Sequence, residues 1–271
     1  MLARAVLILP LLLFLGASYI LPFLGIVQLS VTGDEPGLTL SHYGTAVSDP
    51  LVQSVFWRTL RVCASVTVLS VAAAYVVTFL WVRGSALTSL LVELCIMIPF
   101  WISVLSRAFG WLAMLSNRGM INTWLKKAGL IDMSLPLVHN EFGVIVGMTH
   151  YLIPFAAFPL AAAMRNVDER VLLAAEGMGA SRMRTFWQVF VPMTRSGMMG
   201  AALLVFVFSI GFYVTPAILG GGRSVMAAEL IYLRLFQIPD WGLATAVSVL
   251  LMAAIAGILV TLMRRYGDLA K

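Results

Sequence analysis

Charged side chains are scarce in this sequence. Lys, Arg, Asp and Glu together make up 11% of 271 residues, while 61% are hydrophobic. A water-soluble domain of this length does not need so much apolar surface, so the balance excludes an ordinary soluble enzyme or nucleic-acid-binding module. Histidine is scarce too. His42, His139 and His150 stand alone, without an H-E-x-x-H or a Cys/His cluster, and no nucleophile or paired-carboxylate set replaces them. The two cysteines, Cys63 and Cys95, each sit inside an apolar run and read as small core residues rather than a disulfide or metal pair. No G-x-x-x-x-G-K-[ST] sequence is present, so any ATP hydrolysis must come from another chain. No internal repeat, low-complexity tract or flexible linker is evident, which leaves one membrane domain over residues 1–271.

What is present is a series of long apolar runs. They give an all-α polytopic membrane protein with about six transmembrane helices: Ala5–Leu29, Val62–Val82, Ala86–Met114, Phe142–Met164, Val189–Leu219 and Trp241–Met263. The first follows Arg4 and lacks a small-residue cleavage site, so it reads as a retained span. An outer segment with Asp34, Glu35, His42 and Asp49 follows it. Arg58 and Arg61 are expected to snorkel at the outer interface before the second span. INTWLKKAGL, after the third span, is expected to form a short interfacial helix. The last span is expected to stop at Arg264 and Arg265. This arrangement places Arg4, Arg83, Arg165, Arg170, Arg182, Arg184, Arg195, Arg264, Arg265 and Lys271 inside, ten of the 18 basic residues. They crowd into short loops, where the positive-inside rule has most force, so both termini are expected in the cytoplasm. The net charge of +6 then reflects membrane orientation rather than nucleic-acid binding.

The densest charge lies in Asp168–Gly197, which cannot sit in hydrocarbon. Leu172, Ala175, Gly179, Met183 and Phe186 recur at helical period, with the arginines and Glu176 off that stripe. Gly177 and Gly179 weaken one continuous helix, so two short helices around a turn fit better. Small residues at Ala174, Ala175, Gly177, Gly179 and Ala180 allow close approach by another surface. Pattern alone leaves two readings, an amphipathic connector on lipid headgroups or a docking element for a cytoplasmic partner.

Few polar groups stand at membrane depth. Glu93 and Arg107 fall in the third span with Pro99 between them, about 21 Å apart if the helix is continuous at 1.5 Å per residue, and so unable to pair. Glu93 is close enough to the inner end to snorkel; as a carboxylate in a pathway it would suit a cationic solute. His150 reads as a bundle-facing polar residue or a solute contact. In SIGFYVTPAILGGG, Thr215 and Pro216 loosen the helix and Gly220–Gly222 permits an unusual backbone path. That stretch is either an ordinary kink and turn or a mobile element near a translocation path, with Tyr213 and Thr215 offering polar contacts.

The charged loop resembles the signature loop of ABC importer permeases, whose pattern is EAA, three residues, Gly, nine residues, then I-x-L-P. Ala174, Ala175, Gly179, Val189, Val191 and Pro192 fall at the matching spacings, and Leu173 stands where that family has Glu. RTLR before the second span, PFWISVLSRAFGW, NRGMIN and GFYVTPAILGG are similar to the spermidine/putrescine branch, so the resemblance covers most of residues 55–222 in order. It implies a type I ABC importer permease fold in a bacterial inner membrane, with a cytoplasmic coupling loop at about 165–190. It also implies a second permease subunit, different from this one in polyamine-type systems, two ATP-binding subunits that hold ATP and Mg, and an extracytoplasmic solute-binding protein. Ala174, Ala175, Glu176, Gly177, Gly179, Ala180 and Pro192 would form the ATPase-coupling element. Glu93, Arg107, His150, Tyr213 and Thr215 are the candidate solute path. The chain itself needs no cofactor and has no catalytic site on this reading. The competing class is a stand-alone ion-driven transporter, for which one Glu93 and one His150 supply poor relay material and no inverted repeat is seen.

Overall fold

The computed structural model describes residues 2–32 and 37–269, with side chains described at 9–32, 37–261 and 264. Asp34, Glu35 and Lys271 lie outside the described residues, as do the side chains of Arg4 and Arg265. The described residues are mostly helical and carry no strand beyond an isolated bridge between Thr32 and Leu38. Helix α1 (Leu2–Leu15) passes through a π-helical turn into α2 (Leu21–Val31), followed by α3 (Ser41–Ser48) and α4 (Pro50–Arg83). Next come α5 (Ala86–Trp101), α6 (Val104–Leu115), α7 (Met120–Lys127) and α8 (Glu141–Arg165). Then follow α9 (Glu169–Gly177), α10 (Arg182–Thr185), a π-helical turn at Phe186–Phe190, α11 (Val191–Met193) and α12 (Arg195–Ile210). A π-helical turn at Pro216–Gly220 leads to α13 (Ala227–Phe236) and α14 (Trp241–Leu269).

Four helices among the described residues are long and apolar enough to cross a membrane, and six spans result if each of two bent pairs counts as one. The bends correct the straight spans that periodicity suggests. The third span breaks after Trp101 and turns through 104° into α6. Pro99 disrupts the last turn of α5, and Ser103 starts a new helix by accepting the Leu105 N–H through its hydroxyl. The fifth is bent by 59° at Thr194 and ends at Ile210, short of the Leu219 expected. The second starts at Pro50 rather than Val62, because Asp49 accepts the Leu51 N–H and Pro50 is tolerated in a first turn. The final helix does not stop at Arg264 but continues to Leu269; charge there ends the apolar stretch, not the helix. The short helix expected in INTWLKKAGL is α7.

The residues form two compact units, and the division falls inside α4. The first takes residues up to Trp57 and from Ala227 onward, where α2, α3 and α13 pack on α14. Asp240 caps α14 by accepting the Leu243 N–H at 3.0 Å.

The second unit runs from Arg58 to Met226 and is built on α8. Val144, Met148, Leu152, Ala156, Leu160 and Met164 recur every four residues along α8 and are fully buried. Gly197, Ala201, Val205 and Ser209 repeat the same period on α12, its principal neighbour. Small side chains let the two backbones come close, as helices in lipid require when apolar surface alone gives no preference for protein over tails. A Cβ at Gly197 would lie 2.4 Å from Ala163 Cβ and 3.0 Å from the Pro159 carbonyl oxygen. At the other end of the unit, Arg58 and Arg61 do not snorkel freely. Both reach the Glu141 carboxylate, at 3.3 and 2.6 Å. Glu141 opens α8, where a negative charge also favours the helix dipole.

Candidate functional site

The charged loop between α8 and α12 folds as two short helices around a turn, as its glycines predict. Asp168 opens α9 by accepting the Arg170 N–H at 2.9 Å. The helix closes with the Gly179 N–H on the Glu176 carbonyl and the Ala180 N–H on the Ala175 carbonyl, the pair of bonds that defines a Schellman cap. That cap needs a left-handed residue, and Gly179 supplies it at φ +92°. Nothing lies within 4 Å of where its Cβ would be, so within this chain the glycine answers a backbone need and not a close contact. Ser181 then caps α10 by accepting the Arg184 N–H.

The apolar stripe does not continue across this turn. Ala175 is buried, but Gly179 and Met183 are exposed, and the next buried residues are Thr185 and Phe190. Reversal at Gly179 resets the helical phase, so the period read across it is broken. What the loop exposes is a set of large apolar side chains, Leu173, Met178, Met183 and Trp187, among Arg170, Arg182 and Arg184. Ala174, Glu176, Gly177 and Pro192 are exposed as well, and Ala180 is partly so. Glu169 faces Arg83 at 3.8 Å, whereas Glu176, three residues on from Leu173, is exposed and makes no ion pair among the described residues.

The C-terminal end of α4 holds this loop. Tyr75, Phe79 and Arg83 stand four residues apart on one face. Phe79 meets Phe186 and Phe190 edge-on at 5.3 and 5.4 Å, and the Tyr75 hydroxyl lies 2.9 Å from the Thr194 hydroxyl. The Thr194 hydroxyl donates in turn to main-chain carbonyls at Phe190 or Val191, at the 59° bend.

The five candidate path residues divide into separate places. Arg107, on α6, lies with its guanidinium 4.0 Å from the Tyr151 ring centre. One turn on, the Trp111 indole N–H donates to His150 Nδ1 at 3.2 Å, which leaves the His150 proton on Nε2. Tyr151 also stacks on Phe155 and meets Phe212 edge-on at 4.8 Å. The break after α5 is what lets α6 present Arg107 to α8 in this way. Two Arg107 nitrogens, Nε and Nη1, are buried without an acceptor among the described residues.

Glu93 belongs elsewhere. It is exposed on α5 and accepts the Trp81 indole N–H at 3.3 Å, while the Arg165 guanidinium lies 5.1 Å from the Trp81 ring. Thr215 is buried with its methyl group toward Gly147 of α8, so it serves packing there. Tyr213 is half-buried beside it, before the π-helical turn. Gly221 and Gly222 take positive φ, +54° and +73°, which is the unusual backbone path the glycine run permits. Trp111, Tyr151 and Phe212 escaped the sequence reading because they look like lipid-facing or core aromatics. The i, i+4, i+8 spacing of Tyr75, Phe79 and Arg83 is the one signal that could have flagged their shared face.

Residues 67–268 match the family model described as binding-protein-dependent transport system inner membrane component. The chain belongs to this family. It is a multi-pass inner-membrane permease of the ABC importer class. Among similar proteins is the spermidine/putrescine transport system permease protein PotB of Haemophilus influenzae, 27% identical over 78% of this chain and 74% of that protein. The Escherichia coli protein of the same name is 28% identical over 79% of this chain and 77% of its own length. The osmoprotective compounds uptake permease protein GgtC of Synechocystis is 27% identical over 95% of this chain and 96% of that protein. A crystal structure of a bacterial ABC transporter for import of the acidic polysaccharide alginate matches with a TM-score of 0.78 at 16% identity, covering 100% of this chain and 96% of that one. That likeness supports the type I importer fold.

Proposed function

We propose that this permease carries a polyamine-like solute inward as one of two membrane subunits of an ATP-driven importer. The observation that carries the coupling role is the pinned loop of α9 and α10, which offers exposed apolar side chains ringed by arginine to a cytoplasmic surface. Two ATP-binding subunits would receive this loop, and closure of their dimer would move it and switch access to the path. A solute-binding protein would deliver cargo on the opposite side. The polyamine-type solute is supported by the two PotB relatives. Arg107 and the aromatic side chains around it would line the path near α6 and α8. Since Arg107 is a cation and Glu93 lies with Trp81 and Arg165, the carboxylates that balance a polyamine would come from the second permease.

Co-purification from the native membrane tests the assembly. A second, different permease and an ATPase are expected with the tagged chain; a chain that purifies alone and still moves solute overturns the reading. Uptake by the reconstituted complex of labelled spermidine, an osmoprotectant and an acidic oligosaccharide then decides the solute. Transport of either of the latter two without spermidine would correct the cargo and leave the permease role standing. Gly179→Trp should insert normally and abolish solute-stimulated ATP hydrolysis, because the left-handed cap is lost and bulk is added to the exposed turn; normal stimulation would overturn the docking role.

A further inference from the structure

We infer that Arg83 is the positioning residue that joins the coupling loop to the membrane core, so that loop movement becomes movement of α4 and α8 together. The inference rests on the coupling role proposed above. Arg83 is the last residue of α4, and a single guanidinium there meets three separate pieces of the chain. Its Nη2 donates to the Val167 carbonyl at 2.8 Å and to the Met164 carbonyl at 3.3 Å, at the end of α8. Its Nη1 faces the Glu169 carboxylate, the first residue of α9, at 3.8 Å. Its Cζ lies over the ring of Phe190, 5.5 Å from the ring centre, in the turn that leads out of the loop toward α12. The entry to the loop, its first helix and its exit therefore converge on one side chain.

The chemistry requires arginine. A planar fork can satisfy main-chain acceptors, face a carboxylate and stack on an aromatic ring at once, whereas an ammonium is a point charge that cannot hold that geometry. Arg83 gives a donor to the Val167 carbonyl, just beyond α8, and adds one to the Met164 carbonyl, which also takes the Asn166 and Val167 N–H groups. The Arg83 side chain is only 20% exposed, whereas Glu169 is 77% exposed. The guanidinium is thus anchored mainly by carbonyls and the ring, and the ion pair is the part that a moving loop can make or break. Arg58 holds Glu141 at the start of α8 and Arg83 holds its end, so α8 is tied to α4 near both of its own ends. A push on the loop at Arg83 cannot be absorbed by sliding one helix past the other.

The test is the ratio of solute-stimulated to basal ATP hydrolysis in the complete reconstituted complex. Arg83→Gln is expected to assemble with the same subunit stoichiometry, keep basal hydrolysis, and lose stimulation and transport by about tenfold or more, the scale of a typical coupling energy. Arg83→Lys, which keeps the charge and loses the fork and the stack, should lose most of the same stimulation, while Glu169→Gln should lose only part. A purely structural role would instead lower assembly and thermal stability and leave the ratio unchanged in whatever complex remains. If Arg83→Gln fails to assemble, Arg83→Lys decides: full stimulation in that variant overturns the inference. If the wild-type complex itself shows no solute-stimulated hydrolysis, the coupling role falls, not the Arg83 inference alone.

Discussion

Two glycines show how differently one residue type can be used. Gly179 closes α9 in the left-handed region with open space around it, so its requirement is torsional. Gly197 has ordinary helical torsions, and its requirement is contact, with α8 close on its face. The pair predicts opposite phenotypes. Gly197→Leu must push α8 and α12 apart and should destabilise the permease by about 1–3 kcal/mol, the usual cost of overpacking. A thermal unfolding series in detergent checks this, and an unchanged midpoint would mean that the interface has slack. Gly179→Trp strains only the cap of an exposed turn, so its main effect should fall on coupling, with helix packing in the membrane kept. Leu173 is a third case. At its departure from the family pattern α9 still carries two exposed carboxylates, Glu169, which faces Arg83, and Glu176.

At the scale of elements, the bends matter more than the helices. A straight third span would separate Arg107 from α8 partners by direction alone; the 104° break brings it to Tyr151 and Trp111 to His150. The 59° bend at Thr194 has a comparable use, placing the Phe186–Phe190 turn against Tyr75 and Phe79 of α4. Each break has a local cause. Pro99 withholds a donor near the end of α5, and Pro192 stands two residues before Thr194, whose hydroxyl donates to carbonyls there. Proline alone did not mark where a helix breaks, since Pro154 and Pro159 lie inside the continuous α8, and the angle was not legible either. The proline fixes only a missing bond, and the direction taken afterward depends on what the next segment packs against.

For the whole molecule, the described spans leave much apolar surface outward. None of the most apolar stretch of Leu9–Val31 is buried within the chain, so lipid or another membrane subunit must cover it. The distribution of arginine sets the expected topology, with the loop of α9 and α10 inside and α7 outside. Single cysteines at Met178 and Lys126 should therefore react with an impermeant thiol reagent from opposite sides of the membrane. Both are exposed, whereas native Cys63 is buried; native Cys95, which is exposed, is replaced first. Labelling of both positions from one side would reverse or redraw the topology.

Composition and periodicity by themselves determined that this chain is a helical bundle for a membrane, because hydrocarbon admits only backbone that satisfies its own hydrogen bonds. Local signals also determined the helix–turn–helix loop, since capping residues, glycine and charge act over a few positions. Tertiary structure alone decided which polar groups meet. Arg83 reaches carbonyls 81 and 84 residues away, Arg61 reaches Glu141 across 80, and Trp111 reaches His150 across 39. Such pairs depend on how each helix is rotated about its axis and where it bends, and packing of the small-residue stripe of α12 against the buried face of α8 fixes that for these two helices. Glu93 and Arg107, grouped by sequence as the charges of one span, were separated by such a bend.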